Sequence, residues 1–163
     1  MKNSKSLARA GIISAIYVCL TLVFYPLSFG GVQLRFAEGL TLLPLLFPEA
    51  ILGLTVGCLI SNFFGNGLLD IVFGTFATFL SAILTRCVSK TKRGESFKIF
   101  IGALFPIFIN AIIVPFAILG ATLNVAVYFI TALQILIGQA LSVYLVGTPI
   151  YYISKKIANK KRS

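Results

Sequence analysis

The sequence predicts an all-α integral membrane protein: one bundle of six transmembrane helices over residues 1–163, both termini cytoplasmic, with a short or irregular second helix. Three observations lead there. Hydrophobic residues make up 58% of the chain and the mean hydropathy is +1.01, well above a soluble domain. Several apolar runs are long enough to cross a ~30 Å hydrocarbon core at ~1.5 Å per residue. Apart from Arg35, the basic residues form three blocks at the margins of those runs. Lys2, Lys5 and Arg9 open the chain; Arg86, Lys90, Lys92, Arg93 and Lys98 lie in its middle; Lys155, Lys156, Lys160, Lys161 and Arg162 close it. Six spans put all three blocks on one side, and the positive-inside rule makes that side the cytoplasm of a multi-pass protein of the cell membrane. The net charge of +10 then points to the headgroups of the lipid bilayer, not to nucleic acid.

Span one covers about 7–27. Ala10, Gly11, Ser14 and Ala15 recur at spacings of three and four, a small-residue face that admits close approach of another helix. That helix is either a neighbour in the same bundle or a separate subunit. Span two, about 36–47, is too short for the hydrocarbon core and contains Pro44, so it is tilted, broken or shielded; short interrupted segments line sites in transporters. Pro48 and Glu49 suit the start of span three, about 50–64, with the carboxylate at the positive end of the helix dipole. Gly53 to Gly57 give that span a second close-packing signal. Span four, about 68–88, follows an Asn66-Gly67 turn, and Asp70 suits a cap near its start. Span five, about 97–119, carries Pro106 and Pro115 around Asn110; kinks there need other groups to satisfy the freed carbonyls. Span six, about 125–153, has a polar or small stripe of Asn124, Tyr128, Thr131, Gly138 and Ser142, expected to face inward. Tyr151 and Tyr152 before Lys155 and Lys156 read as an interfacial anchor.

The chemistry-bearing residues are few. The chain has no His and four acidic residues, Glu38, Glu49, Asp70 and Glu95. No metal cluster and no Ser-His-Asp triad can be assembled from them. A membrane-embedded enzyme would need clustered Asp, Glu or His, and these acids are scattered over both sides. Cys19, Cys58 and Cys87 show no metal spacing and suit packing roles. Charge inside a bilayer is costly and marks function. Glu38, Asp70, Arg35, Gln33, Asn62, Asn66, Asn124 and Tyr128 all belong to the end opposite the basic blocks, where they suggest an outward-facing pocket. Arg35 and Glu38, three apart, could neutralise each other. Alternatively Arg35 snorkels to the headgroups and leaves the carboxylate in the bundle. Phe63, Phe64, Phe73, Phe76 and Phe79 are expected to pack, not to form a stacking platform. Two carboxylates with nearby amides suit a flat, nitrogen-rich heteroaromatic ligand, whose adjacent N–H groups a carboxylate can accept in pairs.

QLRFAEGLTLLP (33–44), LFPEAILGLTVGCLISNFFG (46–65) and LDIVFGTFATFLSAILT (69–85) resemble the QueT family, substrate-binding S components of energy-coupling factor (ECF) transporters. In the family pattern Ser precedes the glutamate and Ala follows it; here Ala37 and Gly39 stand there. The resemblance implies a six-helix, non-enzymatic S component that binds a queuosine precursor, a 7-deazaguanine such as the aminomethyl form or queuine. It implies Glu38 and Asp70 as acceptors for the ligand, with Arg35, Gln33 and Asn62 beside them. It also implies an ECF transmembrane coupling protein, docked on Ala10, Gly11, Ser14 and Ala15, and two ATPase subunits. The chain has no G-x-x-x-x-G-K-S/T phosphate loop, so no cofactor is expected in it and ATP is hydrolysed by the partners. An S component for another vitamin, such as riboflavin or thiamine, is the alternative on the same fold, and a small membrane enzyme the remote one.

Overall fold

The computed structural model describes residues 2–29, 34–65, 67–119 and 124–160. The described residues form helices joined by short turns and loops, without strands. In order they are α1 (Lys2–Val23), the single turn α2 (Tyr25–Ser28), a 3-10 helix (Phe36–Leu45), α3 (Ala50–Asn62), a π-helical segment (Asp70–Gly74) leading into α4 (Thr75–Ser89), α5 (Glu95–Leu119), α6 (Val125–Leu141), a second π segment (Ser142–Gly147) and α7 (Thr148–Lys160). Among the described residues four helices are long and apolar enough to cross a membrane: 4–23, 70–89, 95–119 and 125–160. The 3-10 helix and α3 are apolar but shorter.

The bundle is wrapped around the short element. Ala37 to Leu45 of the 3-10 helix are all buried. One side packs with Ile13 and Tyr17 of α1 and Leu54 and Cys58 of α3. The other packs with Ile99, Ala103 and Ile107 of α5, Val143 and Tyr151. A 3-10 helix rises ~2.0 Å per residue against ~1.5 Å for an α-helix, so ten residues reach ~20 Å instead of ~15 Å. The tighter winding thus stretches an otherwise undersized element. Its last turn has carbonyls to satisfy, and Arg86 of α4 donates to the Pro44 and Leu45 oxygens at 3.0 and 3.4 Å.

Glycines set the closest crossings. A Cβ on Gly53 would lie 2.6 Å from the Ala10 carbonyl oxygen, and one on Gly57 2.8 Å from Tyr17 Cβ. The Gly53–Gly57 face therefore seats on the Ala10–Ser14 side of α1. That divides the small-residue face: Ala10 and Ser14 are buried, while Gly11 and Ala15 are exposed, with open space at Gly11. In the other crossing, a Cβ on Gly39 would meet the Gly147 nitrogen at 2.9 Å. The second π segment and the 3-10 helix touch backbone to backbone there.

The outside is apolar and the inside carries the polar groups. Phe63, Phe64, Phe73, Phe76 and Phe79 are exposed; they turn outward and do not pack as expected. Thr41, Ser61, Thr78, Ser81, Thr85, Asn110, Gln139 and Ser142 are buried. This inversion suits a lipid surround, where polar groups must find partners within the protein. Around Pro106 the helix stays continuous. The missing proline N–H would leave the Gly102 carbonyl unpaired, and the Thr85 hydroxyl donates to it at 3.0 Å.

Glu49 stands at the start of α3, as expected; its carboxylate pairs with Arg9, whose guanidinium lies over the Phe47 ring. The cap expected of Asp70 is corrected: it makes no cap, because its carboxylate is drawn to Arg35.

Candidate functional site

Two buried polar clusters lie one above the other beside the 3-10 helix. The deeper one centres on Glu38, which is 0% exposed. Its carboxylate is held by groups from three helices. Tyr17 of α1 donates its hydroxyl to Oε1. Thr78 of α4 donates to the same oxygen at 3.2 Å. Asn110 of α5 donates from Nδ2 to Oε2 at 3.4 Å and anchors its amide on the Pro106 carbonyl at 2.9 Å. The side chain of Gln139 of α6 lies beside the same carboxylate. Thr41 fixes the backbone by donating to the Glu38 carbonyl at 2.5 Å.

The donors are unevenly shared. Oε1 receives two hydroxyls and Oε2 a single long bond. Among the described residues no cation lies within ion-pair distance of Glu38. A buried carboxylate without a counter-ion is costly unless several hydrogen bonds hold it. This one has such bonds, and Oε2 keeps room to accept more.

The second cluster lies toward the bundle end away from the basic blocks. Arg35 at the head of the 3-10 helix donates from Nη2 to Asp70 Oδ2 at 3.0 Å and Oδ1 at 3.4 Å. Its Nε faces the Ser28 carbonyl at 3.4 Å and its Cζ lies 5.1 Å from the Phe29 ring centroid. Asn62 donates to the Asp70 carbonyl at 3.0 Å. Gly74 makes room for this: a Cβ there would sit 2.7 Å from Asp70 Oδ1 and 2.9 Å from Asn62 Nδ2. The π segment Asp70–Gly74 turns Asp70 inward at the start of a transmembrane helix, a place where π-bulges commonly serve function.

So Arg35 neither neutralises Glu38 nor snorkels. It is 4% exposed and paired with Asp70, which leaves Glu38 without an ion-pair partner among the described residues. Of the residues expected in the site, Glu38, Arg35, Asp70 and Asn62 come together around the head of the 3-10 helix. Asn124 and Tyr128 do not join them. Asn124 is exposed and caps α6, its Oδ1 accepting from the Ala126 and Val127 nitrogens. The Tyr128 hydroxyl donates to the Ile112 carbonyl at 2.8 Å. Asn124 thus serves its own helix start, and Tyr128 ties α6 to α5. Gln33 and Asn66 lie outside the described residues. Tyr17, Thr78 and Gln139 were missed as site residues, and Asn110 was noted only for its place between prolines. The available signal was a lone amide near the middle of an apolar span, which the bilayer penalises unless it has a partner.

An apolar groove lined by Thr55, Leu59, Ile71, Val72, Thr75, Phe76 and Phe79 opens on the outer surface between α3 and α4. It offers hydrocarbon contact and excludes Glu38.

Comparison with known proteins agrees with this architecture. The profile of the QueT transporter family matches residues 7–156. A queuosine precursor transporter, QueT, of Lactococcus lactis subsp. cremoris (strain MG1363) is 33% identical over 82 residues. That alignment spans about half of this chain and about half of the relative, 48% of each. No solved structure matches the chain. With its family match running from the first long helix through most of the last, the chain is a multi-pass membrane protein that belongs to the QueT transporter family.

Proposed function

We propose that this chain is the substrate-binding S component of an ATP-driven ECF-type uptake transporter in the cell membrane. Its ligand is a queuosine precursor, a 7-deazaguanine such as the aminomethyl form or queuine, held by Glu38. One observation carries the reading: a buried carboxylate with no cation in ion-pair distance among the described residues, reached by polar side chains from several helices. Such a group meets a flat base edge well, because two carboxylate oxygens accept two adjacent N–H donors. In the folded chain Tyr17, Thr78 and Asn110 occupy acceptor positions that ligand N–H groups would take over. The name of the Lactococcus relative supports the same ligand class.

The Arg35–Asp70 pair, with Asn62 and Phe29, closes the outer end above Glu38. Access to the carboxylate then requires movement at that end, while Arg86 and the basic blocks hold the cytoplasmic end. The partners are a transmembrane coupling protein and two ATPases, which supply the ATP hydrolysis this chain has no phosphate loop for. The coupling protein approaches the outer face of α1 at Gly11 and Ala15; Ala10 and Ser14 are taken by α3.

The test is a binding panel on the purified full-length protein: deazaguanines, guanine, riboflavin and thiamine, by titration calorimetry. A deazaguanine is expected to bind tightest. Tightest binding of riboflavin or thiamine would contradict the reading.

A further inference from the structure

The Glu38 cluster contains one polar atom that the protein leaves unused. Gln139 is 2% exposed, its side chain lies beside the Glu38 carboxylate, and its Oε1 has no hydrogen-bond partner among the described residues. A buried acceptor without a donor is a standing penalty that a fold tolerates where something else is gained. The orientation follows from charge. A carboxylate attracts the amide nitrogen and repels the amide oxygen, so Oε1 is the end left open.

The position of Gln139 is rigidly set. It stands three residues before the π segment Ser142–Gly147, and that segment is pinned where a Cβ on Gly147 would lie 2.5 Å from the Gly39 carbonyl oxygen. Gly39 follows Glu38 directly. The backbone crossing that orients the carboxylate therefore also fixes the helix that carries the amide.

We propose that Gln139 is a specificity-determining residue that accepts a hydrogen bond from the exocyclic amino group of the ligand base. The inference rests on Glu38 reading the base edge. The ring N–H and one amino hydrogen go to the two oxygens of Glu38. The second amino hydrogen points away from the ring N–H and needs a separate acceptor beside the carboxylate. A neutral amide oxygen supplies it without adding charge to the bilayer interior. A base lacking the amino group leaves Oε1 unmet, and buried polar groups left unpaired are how a site rejects close analogues.

The experiment compares 7-deazaguanine with 7-deazahypoxanthine, the same ring without the amino group, on wild type and Gln139→Met in detergent. Wild type is expected to prefer 7-deazaguanine by about ten- to a hundredfold. Gln139→Met is expected to lose most of that preference, whatever it costs both bases in common. Equal weakening of both ligands, or an unchanged preference, would overturn the assignment while leaving Glu38 as the binding group. Wild type binding both bases equally overturns it without recourse to the variant. Wild type binding neither base overturns the proposed function as well.

Discussion

Replacing Glu38 with Gln is expected to weaken binding of 7-deazaguanine by more than about a hundredfold and to leave the protein folded. Two charge-assisted hydrogen bonds are lost, each worth about 1.5–3 kcal/mol. One carboxylate oxygen also becomes an N–H donor facing the donors of the ligand. The fold is expected to survive because the amide has nearly the same shape and size. Tyr17 and Thr78 can still donate to the remaining oxygen, as they do to Oε1 in the carboxylate. A neutral amide is also cheaper to bury than an anion without a cation. Calorimetric titration paired with a thermal melt in detergent separates the two effects. Wild-type affinity in Glu38→Gln would remove Glu38 from the site.

Replacing Asp70 with Ala is expected to destabilise the bundle by about 3–5 kcal/mol, the usual cost of stranding one member of a buried ion pair. For a chain of this size that lowers the thermal midpoint by on the order of 10 °C. Arg35 would keep the Ser28 carbonyl at 3.4 Å and the Phe29 face, but no anion. Replacing both partners with apolar residues, Arg35→Met with Asp70→Leu, is expected to cost less than Asp70→Ala alone, because no charge is left unpaired. Melting curves of the single and double variants measure this coupling. An Asp70→Ala protein as stable as wild type would show that the pair does not hold the outer end.

These two acids show how far the sequence could be read. Apolar run lengths and basic margins indicated a helical membrane bundle, because the bilayer imposes both directly on composition. The second helix was recognisably irregular from its length and Pro44. Glu38 stood out because carboxylates in apolar segments are rare. Partner choice was not legible. Arg35 has Glu38 one turn away in sequence, yet it bonds Asp70, 35 residues on. Only the folded bundle, in which the Asp70–Gly74 segment packs against α3, α4 and α5, brings those groups together. Nor did spacing divide the small face of α1, since Ala10 and Gly11 differ only in which way the helix is rotated against α3. Tyr17, Thr78, Asn110 and Gln139 come from four separate helices and converge only in three dimensions, so no local motif announces them. The polar stripe of span six was half right. Gly138 and Ser142 are buried, while the upper end at Asn124 is exposed, because the bundle packs most tightly around the middle of that helix.

The most direct test is a structure of the protein with 7-deazaguanine bound. The two Glu38 oxygens are expected within about 2.7–3.2 Å of the ring N–H nitrogen and the amino nitrogen, with the Tyr17 hydroxyl displaced from Oε1. A base bound elsewhere, for instance in the apolar groove beside Phe76 and Phe79, with Tyr17 and Thr78 still on Glu38, would contradict the account.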